Sequence, residues 1–340
     1  MIRLISAILL TVALVSSSQS GELSGSGQRT AERLGEKRML NVSVTGALRE
    51  DGGKSSDAPP AVQPLSANDL TIPTVHRSDE VKETTISGGL SIRNATDYWV
   101  DVPGIVSGGT DITLPADAPQ ILIIHTHSSE AYTQAGLDRY EASDSYRTEN
   151  TEFNIVRIGD ELTKLYEDAG LRVIHDRGIY DYPSYTGSYT RSGEAVERYL
   201  SDYPDIGIVI DVHRDALGSD GVVYKTMAEE EGVVASQVML LVGTDESGLE
   251  HPDWRRNLSL ALYMQNAVNL VNPTLMRPVE LVRERYNQQL CPGSLILEVG
   301  SNGNTLQEAL AAVRMFAHSS APALLSLVTE GEGEDLGDSA

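Results

Sequence analysis

Cysteine is almost absent from this chain of 340 residues, in which Cys291 is the only one. A single cysteine excludes an intrachain disulfide, and it also excludes a site in which several thiolates hold a metal ion. Any metal ion must therefore be held by histidine and carboxylate side chains. The sequence has only seven histidines, so each candidate ligand can be weighed individually.

Positive charge is also scarce. The chain has 26 lysines and arginines against 49 aspartates and glutamates, which gives a formal net charge of −23. Binding to a phosphate backbone requires a basic face, so this balance argues against a nucleic-acid partner. The charge balance says little about the fold.

Apolar runs long enough to span a membrane are lacking, since such a span needs about 20 residues. The N-terminal run Leu4–Val15 has 12 residues and follows the positively charged Arg3. Small residues come next, as is typical before a cleavage site. We predict that residues 1–20 are a signal peptide or an N-terminal membrane anchor. Either interpretation predicts an extracytoplasmic protein.

Residues 21–87 contain few spaced apolar side chains and are rich in Gly, Ser, Pro and charged residues. A segment of this composition buries too little surface to offset its ordering entropy, so we predict a disordered tether. Residues 330–340 form an acidic stretch that we also predict to be disordered. The folded, catalytic domain is then expected at residues 88–329.

Strands and helices alternate along the predicted domain. This order predicts an α/β fold with a single open, mostly parallel, twisted sheet and helices on both faces. The predicted strands are Leu90–Asn94, Ile121–Ile124, Leu171–His175, Ile206–Ile210, Val222–Thr226, Val238–Val242 and Leu295–Val299, and Tyr98–Val102 is a further strand or docking segment. The predicted helices are Glu152–Asp168, Gly193–Leu200, Trp254–Leu270 and Thr305–Ser319, the last ended or kinked by Pro322.

Three of these strands end in residues suited to metal binding or acid–base chemistry. His127-x-x-Glu130 and His213 come just after the first two of them, and Glu298 lies at the end of Leu295–Val299. Ligands bind outside the carboxyl ends of the strands in open α/β sheets. Two histidines and a carboxylate are a known catalytic zinc set, so we predict Zn²⁺ on His127, Glu130 and His213. Glu298 would act as general base on the zinc-bound water, and the chemistry would be amide hydrolysis.

Two assignments remain open. Alternation along a strand places His125 and His127 on one face, so either one could be the ligand, and the His-x-x-Glu spacing favours His127. Arg214 is a candidate catalytic residue that would steady the oxyanion, or else it pairs with Asp211 or Asp215. Structural alternatives exist for the other candidates as well: a capped polar loop for Glu130, an ion pair for His213, a salt bridge to Arg214 for Glu298, a strand-end role for His175, a turn for His251, and turns or substrate contacts for Tyr286, Asn287, Asn302 and Asn304.

Six stretches resemble the stage II sporulation protein P family, in order, between about Ser91 and Val328: Ile121–Tyr132, Asn154–Leu162, Asp211–Asp215, Gly248–Asn257, Arg285–Leu290 and Leu297–Leu306. The resemblance implies a zinc-dependent N-acetylmuramoyl-L-alanine amidase that cuts the stem peptide from the peptidoglycan glycan. It also implies an endopeptidase activity on stem-peptide cross-links. The implied partners are peptidoglycan, a lytic transglycosylase during engulfment of the forespore, and membrane proteins.

The first ligand turn departs from the pattern of typical muramoyl amidases. Those enzymes carry Gly-His-Gly and a later Glu on the following helix, which makes Glu152 a competitor of Glu130. The His-x-x-Glu set with a distant His and a catalytic Glu is also similar to zinc carboxypeptidases. The competing hypotheses are therefore a cell-wall zinc metallopeptidase with the same ligands and a wall-binding scaffold protein without turnover.

Overall fold

The computed structural model of the chain describes residues 84–87, 90–219 and 222–329. The signal or anchor expected at residues 1–20, nearly all of the tether and the acidic tail lie outside these residues. Order begins before the expected boundary at Gly88, because Thr84–Ser87 forms a strand that pairs antiparallel with Leu90–Asn94. No helix in the described part of the chain is long and apolar enough to cross a membrane.

The described residues form fourteen strands, five α-helices and a 3-10 helix at Gln288–Leu290. The strands are β1 (Thr84–Ser87), β2 (Leu90–Asn94), β3 (Leu114–Pro115), β4 (Ile121–Ile124), β5 (Val173–His175), β6 (Ile208–Asp215), β7 (Gly218–Ser219), β8 (Val222–Val223), β9 (Ala228–Glu230), β10 (Val233–Ala235), β11 (Val238–Val242), β12 (Val279–Leu281), β13 (Ser294–Ser301) and β14 (Val328–Thr329). The helices are α1 (Val102–Gly108), α2 (Ile155–Ala169), α3 (Ser188–Asp202), α4 (Trp254–Val271) and α5 (Leu306–Leu325).

Eight strands build one open sheet in the order β1-β2-β12-β11-β13-β6-β4-β5. Five of its seven neighbouring pairs are parallel, and only β1–β2 and β11–β13 are antiparallel. The predicted mostly parallel α/β sheet is therefore confirmed. The strand with His175 lies at one edge of the sheet, because no described strand pairs with its outer side.

Alternating side chains of the sheet pack against helices on both faces. On one face Ile123, Val212 and Leu297 join the main core with α2, α4 and α5. On the other face Leu122 and Ile124 pack against α3 in a smaller core. Buried parallel strands are apolar on both faces, which explains the continuous aliphatic run that leads into the first histidine turn.

Several element boundaries differ from the sequence predictions. Pro322 lies inside α5 rather than ending it, since Ala321 and Leu324 beside it are buried against the core. The helix α3 begins five residues earlier than expected. The segment Tyr98–Val102 is not a strand, because Val102 already begins α1. Strand β6 continues through Asp215, so the polar residues expected after it are part of the strand.

Candidate active site

The site is assembled where three neighbouring strands end. Strands β4, β6 and β13 are parallel neighbours, so their carboxyl ends meet at one edge of the sheet. The register pairs Glu298 with His213, and paired residues of neighbouring strands project to the same face. Glu130 approaches from the turn after β4. The structure therefore brings together the three predicted residues His213, Glu298 and Glu130.

Glu130 is held in place by cationic and amide groups. Its Oε2 accepts a hydrogen bond from the backbone N–H of Arg214 at 3.1 Å, and its Oε1 lies 3.5 Å from Nη2 of Arg147. Burial alone would raise the pKa of Glu130, but Arg214, His213 and Arg147 together hold it well below its usual range. The carboxylate is therefore ionised and aimed at the strand ends.

His213 lies between two carboxylates. Its Nε2 is 2.9 Å from Oδ1 of Asp211, and its Nδ1 is 3.5 Å from Oε2 of Glu130. Neither contact has the direction of a hydrogen bond, so both buried ring nitrogens lack a directed partner among the described residues. Burial lowers the pKa of His213, yet Asp211 and Glu130 outweigh it and raise the pKa well above the usual value. The two carboxylates therefore favour positive charge at this ring, which a bound metal ion would supply in place of the ring proton.

His127 faces the same side of the sheet, beneath a tyrosine. Its Nε2 is hydrogen-bonded to the hydroxyl of Tyr185 at 3.0 Å, and its Nδ1 lies 3.4 Å from Oγ of Ser188. Its ring centroid is 5.4 Å from that of His213, at nearly a right angle. Burial lowers the pKa of His127 well below its usual value. The imidazole is therefore neutral, as metal ligation requires.

The donor set fits zinc in chemistry and partly in geometry. Ligands about 2.0–2.1 Å from zinc in a tetrahedron are about 3.3–3.4 Å apart, close to the 3.5 Å between Glu130 and His213. Asp211 behind the second nitrogen matches the carboxylate–histidine pair common at zinc sites. His127 instead contacts the Tyr185 hydroxyl, and across the described residues no three His, Cys, Asp or Glu side chains are arranged to hold an ion.

His125 does not share a face with His127, contrary to the expectation from strand alternation. Strand β4 ends at Ile124 and a turn follows, so the period of two no longer applies. The ring of His125 contacts the carbonyl of Val212 at 3.0 Å and Nε2 of His175 at 2.8 Å, beneath Gly159 of α2. His125 is thus a packing residue on the opposite face of the sheet, and His175 is its partner.

Glu298 is a buried carboxyl whose Oε2 has no hydrogen-bond partner among the described residues. Burial raises the pKa of Glu298 well above its usual value and Asp215 adds to the shift, while His213 opposes it. The alternative of a salt bridge to Arg214 is not formed. Asp215 is instead paired with Arg277 at 2.8 Å. A carboxyl that binds a proton more tightly than usual therefore lies beside His213.

Arg214 directs its side chain to the loop after β4. It donates from Nε to the carbonyl of Ala131 at 2.9 Å and from Nη2 to that of Tyr146 at 3.0 Å. These bonds hold the loop that carries Glu130, and a direct catalytic role for Arg214 stays a prediction. Glu152, the competing carboxylate, is exposed in the turn before α2, and its backbone N–H donates to Oδ1 of Asn150.

Several residues of the site carry little signal at the level of sequence. Asp211 accepts hydrogen bonds from the N–H and hydroxyl of Thr126 at 2.8 and 2.6 Å, so it fixes the turn before His127. Arg147 lies over the ring of Tyr185 and forms an ion pair with Asp181. All three residues lie outside the six stretches that carry the family resemblance. The remaining candidates have structural contacts. Asn302 accepts a hydrogen bond from the N–H of Leu217, and Asn304 accepts one from the N–H of Thr226. Asn287 donates to the carbonyl of Tyr189, and Tyr286 and His251 are buried.

The profile of the Stage II sporulation protein P family matches residues 51–320. The chain belongs to this family. A relative, the Stage II sporulation protein P of Bacillus subtilis (strain 168), is 24% identical over 207 residues, which are 56% of this chain and 48% of the relative. The chain thus aligns with about half the length of this curated relative.

Solved structures of amidases are weakly similar to this chain. An N-acetylmuramoyl-L-alanine amidase of Nostoc punctiforme is 14% identical, covers 61% of this chain and 96% of its own, and has a TM-score of 0.35. The CwlD amidase of Clostridioides difficile, in complex with the GerS lipoprotein, is 13% identical, covers 61% and 98%, and has a TM-score of 0.36. No residue assignment follows from likeness at this level.

Proposed function

We propose that this chain is a peptidoglycan hydrolase of sporulation, acting as a zinc-dependent N-acetylmuramoyl-L-alanine amidase. The observation that carries the proposal is that Glu130, from the turn after β4, meets His213 and Glu298 near the carboxyl ends of β6 and β13. Membership of the Stage II sporulation protein P family supports the substrate class. Peptidoglycan lies outside the cytoplasmic membrane, so an extracytoplasmic location and partners in the cell wall, a lytic transglycosylase among them, are part of the proposal.

The proposed zinc ligands are His127, Glu130 and His213. Bound there, zinc would supply a Lewis acid that polarises a carbonyl and makes water acidic enough to attack it at neutral pH. Asp211 lies 2.9 Å from Nε2 of His213, where zinc sites commonly place a carboxylate behind a histidine ligand. Arg147 and the N–H of Arg214 fix the carboxylate of Glu130, so the ligands are held before substrate arrives.

Glu298 would move the proton of the reaction. Its raised pKa suits a carboxyl that takes a proton from the attacking water and returns it to the departing amine. The water oxygen then forms the new bond to the carbonyl carbon, the carbon–nitrogen bond breaks, and the amine leaves protonated. The burial of Glu298 and His213 keeps bulk water away from this transfer.

An endopeptidase acting on stem-peptide cross-links is the second candidate, because the same residues would serve either amide. The products separate the two. Release of free stem peptides that begin at L-alanine supports the amidase, and cut cross-links support the endopeptidase. A protein that binds zinc yet releases neither would be a wall-binding scaffold.

The test is digestion of purified peptidoglycan by the protein, analysed by mass spectrometry with and without a chelator. We expect Glu298→Gln to lower the rate by about 100-fold or more, the scale of general-base catalysis, while zinc content is unchanged. Glu152→Gln is the matched control at an exposed glutamate and should retain full activity. Full activity of Glu298→Gln would refute the mechanism, and full activity in chelator would refute the role of zinc.

A further inference from the structure

Two tyrosines beside the site have buried hydroxyl groups without partners. The phenolic oxygens of Tyr189 and Tyr286 are inaccessible to solvent, and neither has a hydrogen-bond partner in the described part of the chain. A buried polar group left unpaired costs about 1–3 kcal/mol. Such a cost at two neighbouring hydroxyls needs an explanation, and a bound ligand that accepts hydrogen bonds would supply one.

Both rings adjoin the proposed reaction centre. The ring of Tyr189 meets that of His127 edge-on at 5.4 Å, and the rings of Tyr189 and Tyr286 are 5.5 Å apart. Tyr286 packs on Ile296, which lies two residues before Glu298 on the same face of β13. The tyrosine pair therefore adjoins the site, with Tyr189 against His127 and Tyr286 against the strand that carries Glu298.

The pair is fixed in place by its neighbour Asn287. The side-chain amide of Asn287 donates to the carbonyl of Tyr189 at 2.7 Å and to Oγ of Ser192 at 3.3 Å. Tyr286 and Asn287 both have left-handed backbone, with φ of 48° and 62°. Two consecutive residues other than glycine in this conformation cost free energy, and such strain is concentrated at functional sites.

We propose that the hydroxyls of Tyr189 and Tyr286 donate hydrogen bonds to uncharged carbonyl oxygens of the stem peptide next to the bond that is cut. The pair thereby selects an internal amide over a free carboxylate. This inference rests on the proposed function in assuming a peptidoglycan substrate, and it adds the subsite and its preference.

The burial of the pair explains the preference for an uncharged acceptor. Both hydroxyl oxygens are inaccessible to solvent. Moving a carboxylate out of water to such a place costs far more than moving an uncharged carbonyl, unless a cation pairs with it. Three arginines near the site already have partners: Arg147 is paired with Asp181, Arg214 with backbone carbonyls and Arg277 with Asp215.

The test uses the full chain carrying Glu298→Gln, so that a ligand binds without turnover. Two probes of similar size are compared by calorimetry: N-acetylmuramoyl-L-alanine, which ends in a carboxylate, and its methylamide, which ends in an uncharged amide. We expect the methylamide to bind more tightly. Adding Tyr189→Phe or Tyr286→Phe should weaken methylamide binding by about 3- to 10-fold each, the scale of one hydrogen bond.

Two further readouts separate a substrate contact from a structural role. Removing an unpaired buried hydroxyl should leave the melting temperature unchanged or higher, and zinc affinity should not change. The matched control is Tyr166→Phe, because the buried Tyr166 hydroxyl is paired with Ser320 at 2.9 Å in the opposite core. That variant should melt earlier and bind the methylamide normally.

The outcomes distinguish this inference from the proposed hydrolysis. If the two Tyr→Phe substitutions weaken methylamide binding, the subsite is supported, even if the unsubstituted protein cleaves no peptidoglycan. Tighter binding of the carboxylate probe overturns the inference. Unchanged methylamide affinity in the protein that carries both Tyr→Phe substitutions also overturns the inference, even if the unsubstituted protein is an active amidase.

Discussion

The hydroxyl of Tyr185 lies 3.0 Å from Nε2 of His127, and the two rings stack with centroids 4.4 Å apart and 9° between their planes. The tyrosine both covers the histidine and occupies one of its two ring nitrogens. Ser188 lies 3.4 Å from the other nitrogen. A zinc ion that binds through His127 must therefore compete with one of these hydroxyls.

Tyr185→Phe should raise zinc affinity by about 3- to 10-fold. The substitution removes the competing hydroxyl, which is worth about one hydrogen bond, and keeps the stacked ring. Zinc affinity is measured by competition with a chromogenic chelator. Tyr182→Phe is the control, because Tyr182 is in the same loop but 43% exposed. Unchanged affinity in Tyr185→Phe would mean that zinc does not use the nitrogen that faces Tyr185.

Substitution of the two histidines of the first turn should separate ligand from packing residue. His127→Gln should lose zinc binding, because one of three proposed ligands is removed. His125→Gln should keep zinc but melt earlier, since it breaks the buried contacts with His175 and with the carbonyl of Val212. Zinc content by atomic absorption and thermal unfolding are the two measurements. The reverse pattern would transfer the ligand role to His125.

The sheet and most of its helices could be predicted from the sequence because apolar periodicity reports local structure directly. The aliphatic run Ile121–Ile124 and the amphipathic pattern that became α2 are examples. Pro322 misled the prediction, because packing of α5 on the core outweighs the local cost of proline. Short elements such as β12 carry too few residues for a periodic signal.

The candidate site could be predicted only in part. Placing His213 and Glu298 at the ends of buried strands was enough to bring them together, since parallel strands end at one edge. The orientation of His125 depends on the residue at which β4 ends and the turn begins. The alternation of apolar residues along the strand does not locate that residue to within one position. The two tyrosines beside the site are distant in sequence, since Tyr189 lies in the first turn of α3 and Tyr286 lies in a turn after β12. Only the tertiary fold brings Tyr189 beside Tyr286.

Gly159→Ala should destabilise the protein by about 1–3 kcal/mol, the usual cost of overpacking a core. A methyl group at this position in α2 would come within 2.4 Å of Nε2 of His125 and 2.5 Å of Nε2 of His175, so the histidine pair must move. Urea unfolding gives the change in the free energy of unfolding.

Gly108→Ala is the matched control, because no atom lies within 4 Å of the added methyl group at the end of α1. Its stability should be unchanged within about 0.5 kcal/mol. If the two variants were equally stable, the close packing of His125 and His175 under α2 would be contradicted.

Glu284 should make the protein less stable as the pH rises. Burial raises the pKa of its carboxyl from 4.5 to about 7. A hydrogen bond from its own backbone N–H and the charge of Arg283 oppose this shift, and the charge of Glu246 adds to it. Its Oε2 has no hydrogen-bond partner among the described residues. Between pH 4.5 and about 7 the unfolded chain has lost this proton while the folded chain keeps it. The free energy of unfolding therefore falls through this window and levels off above it.

Glu284→Gln removes this titration without removing the side-chain volume. Relative to the parent protein, we expect the variant to gain stability steadily between pH 4.5 and about 7, as measured by urea unfolding at a series of pH values. Glu149→Gln, at a solvent-exposed glutamate, serves as the control, and its difference from the parent should stay flat. A Glu284→Gln difference that is equally flat would mean that Glu284 loses its proton as readily in the folded chain as in the unfolded one.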